Sequence, residues 1–155
     1  MNTIGLAAMI ETGIDEIDDQ HRLILECQRN ISLALERDSG VDEICVLLED
    51  VKNASERHFD MEEALMRSVR YDDADEHIRM HHMELAFIGR MIDEVKGACM
   101  LPTQGMVAAL TTWFFEHMRT MDVELAAALR RQHGNFTTSG LTAASPPPTG
   151  MVAKR

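Results

Sequence analysis

Apolar residues recur along this chain at intervals of three and four over four long stretches, the period of helices that each turn one face to a core. From about 16 to 37 the stripe is Ile17, His21, Ile24, Gln28, Ile31 and Leu35. From about 42 to 67 it is Ile44, Leu47, Val51, Ala54, His58, Glu62 and Leu65. A third stretch, about 73–96, aligns His77, His81, Glu84, Ile88, Met91 and Val95, and a fourth, about 103–132, aligns Met106, Leu110, Trp113, His117 and Leu125. Asp38-Ser39-Gly40, Ser68 to Asp73 and Gly97 to Pro102 punctuate them with turn-forming residues. Acids from Asp15 to Asp18 suit a first helical turn, Asp42 and Thr103 suit N-caps, and Asp73 with Glu76 has the spacing of a capping box. Lys96-Gly97 and His133-Gly134 read as helix ends. The pattern predicts an all-α, up-down-up-down antiparallel four-helix bundle over residues 1–134, with residues 1–13 as an N-terminal arm across it. Residues 135–155 are dominated by Ser, Thr, Gly and Pro, have no period, and read as a flexible C-terminal tail.

Polar residues inside those stripes are the anomaly. His58 and Glu62, and likewise His77 and His81, are four apart, which places each pair on one helical face about a turn apart. A lone inward histidine such as His21 is more often a hydrogen-bonded core residue than a ligand. An inward carboxylate is harder to explain, because a buried charge costs several kcal/mol unless paired, and a metal is one of few adequate partners. Asp122 follows His117 by five residues, about 140° round an ideal helix, so the spacing predicts a carboxylate reaching sideways toward a site that His117 meets directly. Glu63, one residue past Glu62, is expected to face solvent, and His82, about 100° from His81, is expected at the surface or behind a ligand. No further acid, base or nucleophile is expected beside the ligands. The candidate set is thus His21, His58, Glu62, His77, His81, His117 and Asp122. It is too large for one ion and suits two that share carboxylates. Nitrogen-rich and free of thiolate, it suits Fe, Zn, Cu or Mn and excludes an iron–sulfur cluster. The Glu-x-x-His motifs of ferritin-like sites are missing.

Composition narrows the partners. A chain of 155 residues is long enough for one domain with a real core. The formal net charge of −11 argues against nucleic acid and anionic membrane surfaces, and no apolar run is long enough to span a bilayer. Three widely spaced cysteines, Cys27, Cys45 and Cys99, suggest a reducing compartment, and the opening residues lack the basic start of a signal peptide, so a cytoplasmic location is expected. The twelve methionines, at helical spacing, are core filler.

At this point the chain resembles the hemerythrins, specifically the short bacterial ones. The matching pieces are Gly13-Ile14-Asp15 with Asp18-Asp19-Gln20-His21, His58-Phe59-Asp60-Met61-Glu62-Glu63, Tyr71 with His77-x-x-x-His81, and Trp113-x-x-x-His117-x-x-x-x-Asp122. The resemblance implies a four-helix bundle whose two iron ions, joined by an oxo or hydroxo bridge, bind dioxygen reversibly. It implies His77, His81 and His117 on one iron, His21 and His58 on the other, and Glu62 and Asp122 bridging. It further implies a non-enzymatic monomer that stores, buffers or delivers oxygen. A sensor acting through a protein partner that the tail engages, and a di-iron enzyme acting on peroxide or nitric oxide, are the alternatives. The chain departs from the family in having Leu6-Ala7-Ala8 where bacterial members carry a Trp, and Asp72 after Tyr71 where Pro is frequent.

Overall fold

A computed structural model describes residues 11–139, with side chains placed through residue 132. Most of the arm and residues 140–155 of the tail lie outside the described residues. The structure consists of α1 (Asp15–Glu36), α2 (Val41–Val69), α3 (Ala74–Ala98) and α4 (Gln104–His117), then a π-helical turn (Met118–Asp122) that runs directly into α5 (Val123–Ser139). Met118 and Val123 keep right-handed helical dihedrals, so α4, the turn and α5 form one rod. The result is the expected four-helix bundle. Its ends are tied by side chains reaching backbone carbonyls. Gln104 Nε2 donates to Ser32 O at 2.9 Å, which places the start of α4 beside the end of α1. Arg130 donates to Thr12 O, which places α5 beside the start of α1.

The helix ends differ from expectation in detail. Thr103 caps α4 as expected, its hydroxyl accepting from Met106 N–H at 3.2 Å. Asp42 instead lies in the first turn of α2 behind an uncapped Gly40. Asp73 makes no side-chain cap, and its presumed partner Glu76 is drawn to Arg79. Asp38, Arg70 and Cys99 end the first three helices with positive φ (56°, 50° and 52°). The last helix passes through Gly134 to Ser139. One glycine costs a helix only about 1 kcal/mol and need not stop it.

Along the bundle the core falls into layers. Ile31, Ile44, Leu48, Val51, Ile88, Val95 and Val107 fill one end. Ile24, Leu25, Ala54, Phe59, Phe114 and Met118 fill the middle. Met66, Leu125 and Leu129 close the other end. Between the second and third layers sits a belt of buried polar side chains. The register is one residue off the expected stripes in places. Ala34, Leu48, Met66 and Phe114 are buried, whereas Leu35, Leu47, Leu65 and Trp113 are half-buried. Among the described residues no helix is long and apolar enough to cross a membrane.

Candidate metal centre

Every ligand candidate lies in the polar belt. His21 comes from α1, His58 and Glu62 from α2, His77 and His81 from α3, His117 from the end of α4 and Asp122 from the π turn. None is more than 3 % exposed. They fall into two groups, each with donor atoms within 4.8 Å of one another: Glu62, His77, His81 and His117, and His21, His58, Glu62 and Asp122. Glu62 belongs to both. Its Oε2 lies 3.6 Å from His58 Nε2, 3.4 Å from His77 Nε2 and 3.3 Å from His81 Nε2. Asp122 divides its oxygens: Oδ1 is 3.0 Å from the Nε2 atoms of both His77 and His117, and Oδ2 is 3.0 Å from His21 Nε2.

The π turn explains how Asp122 arrives there. Val123 N–H reaches back five residues to Met118 C=O, where an α-helix reaches back four. The wider turn absorbs the offset that the five-residue spacing would leave on an ideal helix. Asp122 therefore shares the face of His117, and the sideways reach expected from the sequence is replaced by a change in the backbone. Pure 3.6-residue periodicity carries no sign of this.

These donors fit metal ions. Both oxygens of Glu62 and Asp122, both ring nitrogens of His21 and His81, and His58 Nε2 are buried without a hydrogen-bond partner. The close approaches of His21 and Asp122 are therefore not hydrogen bonds; the atoms converge on shared space. Each such orphan costs about 1–3 kcal/mol if nothing satisfies it, and imidazole nitrogens with carboxylate oxygens are a donor set for first-row transition metals.

Electrostatics point the same way. Burial, helped by repulsion from neighbouring imidazoles, pushes His58 down to about 3 and His81 to about 2. Both stay neutral, the form that coordinates metals. Burial and the Asp122 charge lift Glu62 to about 8. Burial disfavours a charge on His77, but the carboxylates of Asp122 and Glu62 outweigh it and hold that imidazole at about 9. Burial likewise opposes ionisation of Asp122, yet His117, His21 and His77 keep it well below the usual carboxylate range. A cation among these groups takes over the role of the protons on Glu62 and His77.

Surrounding side chains orient the candidate ligands. Gln20 Oε1 lies 3.1 Å from His58 Nδ1, which fixes the ring with Nε2 inward when Nδ1 carries the proton. Glu63 is partly buried and its Oε1 lies 3.5 Å from Nδ1 of the neutral His81, close to the ring but making no hydrogen bond to it. This corrects the expectation that Glu63 faces solvent. Gln20 adjoins His21 in sequence but lies off the apolar stripe, so periodicity gives no signal for it. His82 is exposed, as expected. Phe59 stacks on His81 (centroids 3.9 Å, planes at 11°) and Trp113 on His117 (5.2 Å, 19°). Glu84, three residues past His81 on the same inward stripe, is a further buried acid, but its hydrogen bond is to Ser55 and it belongs to neither donor group.

The model of the hemerythrin HHE cation binding domain matches residues 12–134. The chain belongs to the hemerythrin family. It is 26 % identical over 117 residues to a bacteriohemerythrin of Campylobacter jejuni, covering 76 % of this chain and 88 % of that protein. It is 27 % identical over 136 residues to a bacteriohemerythrin of Pseudomonas paraeruginosa, covering 78 % of each. No solved structure matches this hemerythrin-family chain at comparable significance.

Proposed function

We propose that this chain binds dioxygen reversibly at a pair of non-haem iron ions, as a store, buffer or carrier of oxygen. The observation that carries the reading is the doubled donor set: two overlapping four-residue groups with Glu62 in common, and Asp122 turning one oxygen to each side. His77, His81 and His117 would hold one ion, His21 and His58 the other, and Glu62 and Asp122 would serve both. The ion pair, when bound, supplies the electrons that make oxygen binding reversible. The rest falls to the protein. The His21–His58 side offers one imidazole fewer, so it is the side with room for a small molecule. Phe114 packs edge-on against both His21 and His58, and with Ile24, Leu25 and Phe59 it forms a buried apolar cluster that keeps water from that side. Phe114 lies edge-on to His21 at 5.7 Å. An apolar wall without a proton donor disfavours reduced-oxygen release, which needs protons.

The test is metal analysis together with the optical spectrum of anaerobically reduced protein before and after adding oxygen. About two irons per chain are expected from the donor groups, with bands that appear on oxygenation and vanish on its removal. A single zinc overturns the reading. Steady turnover of peroxide or nitric oxide would replace it with an enzyme. Azide added to oxidised protein should be found, by crystallography, on the ion beside His21 and His58; azide beside His77 and His81 overturns the assignment of sides.

A further inference from the structure

The two sides of the metal centre hold their imidazoles by different means. On the three-histidine side, aromatic faces clamp two of the rings: Phe59 stacks on His81 with planes at 11°, and Trp113 on His117 at 19°. On the two-histidine side Phe114 meets both rings edge-on, at 86° to His21 and 82° to His58. An edge contact does not stop an imidazole turning about its Cβ–Cγ bond, a torsion with two broad wells. A half-turn exchanges ring nitrogens for ring carbons, so one well offers Nε2 to the site and the other offers Cε1. One hydrogen bond chooses between them for His58. Gln20 Oε1 lies 3.1 Å from His58 Nδ1, whereas the Nδ1 atoms of His21, His77, His81 and His117 have no partner among the described residues. An oxygen facing Nδ1 also selects the tautomer with the proton there, which leaves the Nε2 lone pair for a cation. Gln20 stands on α1 beside His21, so this bond ties α1 to α2 at the side with fewer imidazoles.

We propose that Gln20 decides whether this chain holds one ion or two: it is the positioning residue of the His21–His58 side, which loads last and empties first. Three imidazoles, two of them clamped by stacking, take the first ion without help from Gln20. The second ion meets two imidazoles, and one of those turns nitrogen toward it only while Gln20 holds the ring. Removing such an outer hydrogen bond weakens metal binding about 10–100-fold. Confined to one side, a loss of that size leaves a one-ion chain at metal concentrations that still fill the other side. The proposal rests on the two-ion arrangement of the reading above and on nothing about oxygen.

The test is chelator competition on the zinc-loaded full chain, with crystals grown at one zinc per chain. In wild type the two zinc ions should leave in separate steps, and the one-zinc crystal should place the ion beside His77, His81 and His117. Gln20→Leu, which keeps the bulk and removes the acceptor, should weaken the ion lost first about 10–100-fold and shift the other by less than about twofold. Gln20→Glu, which puts an acceptor in the same place, should hold that ion at least as tightly as wild type. A spectroscopic mark separates positioning from packing. The His58 Nδ1–H proton of the zinc-loaded chain should give a hydrogen-bonded, low-field resonance in wild type and Gln20→Glu, and lose that low-field shift in Gln20→Leu. Equal weakening of both ions, no weakening in Gln20→Leu, or Gln20→Glu behaving like Gln20→Leu overturns the proposal, as does zinc beside His21 and His58 in the one-zinc crystal. A wild-type chain that takes up a single zinc overturns the two-ion arrangement and this proposal together. Two zinc ions lost in order, from a chain whose iron form shows no oxygen-dependent bands, support the role of Gln20 and overturn the oxygen reading alone.

Discussion

At one end of the bundle the inward stripes deliver Ile31, Ile44, Leu48, Ile88, Val95 and Val107, an apolar cluster. Two or three turns along, the same stripes deliver His21, His58, Glu62, His77, His81, His117 and Asp122, with many polar atoms facing no protein partner. Backbone geometry is shared, and the source of cohesion differs. The first layer closes by area removed from water, which needs nothing from outside the chain. The second is incomplete as protein and is completed by cations. Stability at one end is thus a property of the sequence, and at the other a property of sequence and metal concentration together.

Stripping the metal should separate the two ends most strongly. Binding at 1,000 times the dissociation constant contributes about 4 kcal/mol, so chelation should lower the melting temperature by roughly 10 °C, at about 2–4 °C per kcal/mol. Hydrogen exchange should accelerate around Phe59 to Met66 and His117 to Leu125 and stay slow around Leu48 and Val107. Uniform acceleration along every helix would erase the contrast.

Leu48→Ala is the converse experiment. Leu48 is fully buried in the apolar layer. Its truncation should cost about 2–5 kcal/mol in denaturant unfolding while leaving metal content unchanged. Loss of metal in this variant would mean that the two layers are mechanically one.

A smaller effect is expected from Glu84→Gln, which lies between the layers. Burial raises the Glu84 carboxyl from 4.5 to about 8 in the folded chain. Between those values the folded state holds a proton that the unfolded state has released. The contribution is therefore fully present below about pH 4.5 and is lost as pH rises toward 8. Glu84→Gln should flatten that fall, gaining on the order of 2 kcal/mol over wild type at pH 8 and little at pH 5. Parallel stability–pH curves would show that Glu84 does not carry the slope.

Thr103→Ala should have the smallest effect, about 1 kcal/mol by thermal melting, from the lost cap on α4. Thr103 is exposed and its helix begins at the apolar end, so metal content should not change.

The two layers also differed in how legible they were from sequence. A polar residue inside an apolar stripe is out of place wherever it occurs, so His21, His58, Glu62, His77 and His81 stood out and lie together in the structure. Apolar neighbours are ambiguous by comparison. Leu47 and Leu48, or Leu65 and Met66, both fall within the broad apolar arc of α2, and only packing decides that Leu48 and Met66 turn fully inward. Supporting residues at the margin of a stripe, Gln20 and Glu63, carry no periodic signal. Glu84 was on the stripe, but an isolated carboxyl with no histidine four residues away gives no sign of the Ser55 hydroxyl that meets it from α2. The family assignment was legible from the ligand spacing, and the match over residues 12–134 bears it out.

The π turn has a consequence for chain length. Before it, the buried positions are Val107, Leu110, Phe114 and His117; after it they are Asp122, Leu125, Ala126 and Leu129. Continued at the α-helical period, the first set would predict 121, 124 or 125, and 128. The second half of the rod runs one residue late. The turn is thus an insertion that the helix has absorbed as a phase shift, leaving both halves helical and both with an inward face. Anyone transplanting this helix into another bundle, or aligning it to one without the wide turn, has to treat it as two segments with separate numbering offsets. A single heptad frame drawn through Gln104 to Gln132 would place every residue after the turn about 100° from its true face.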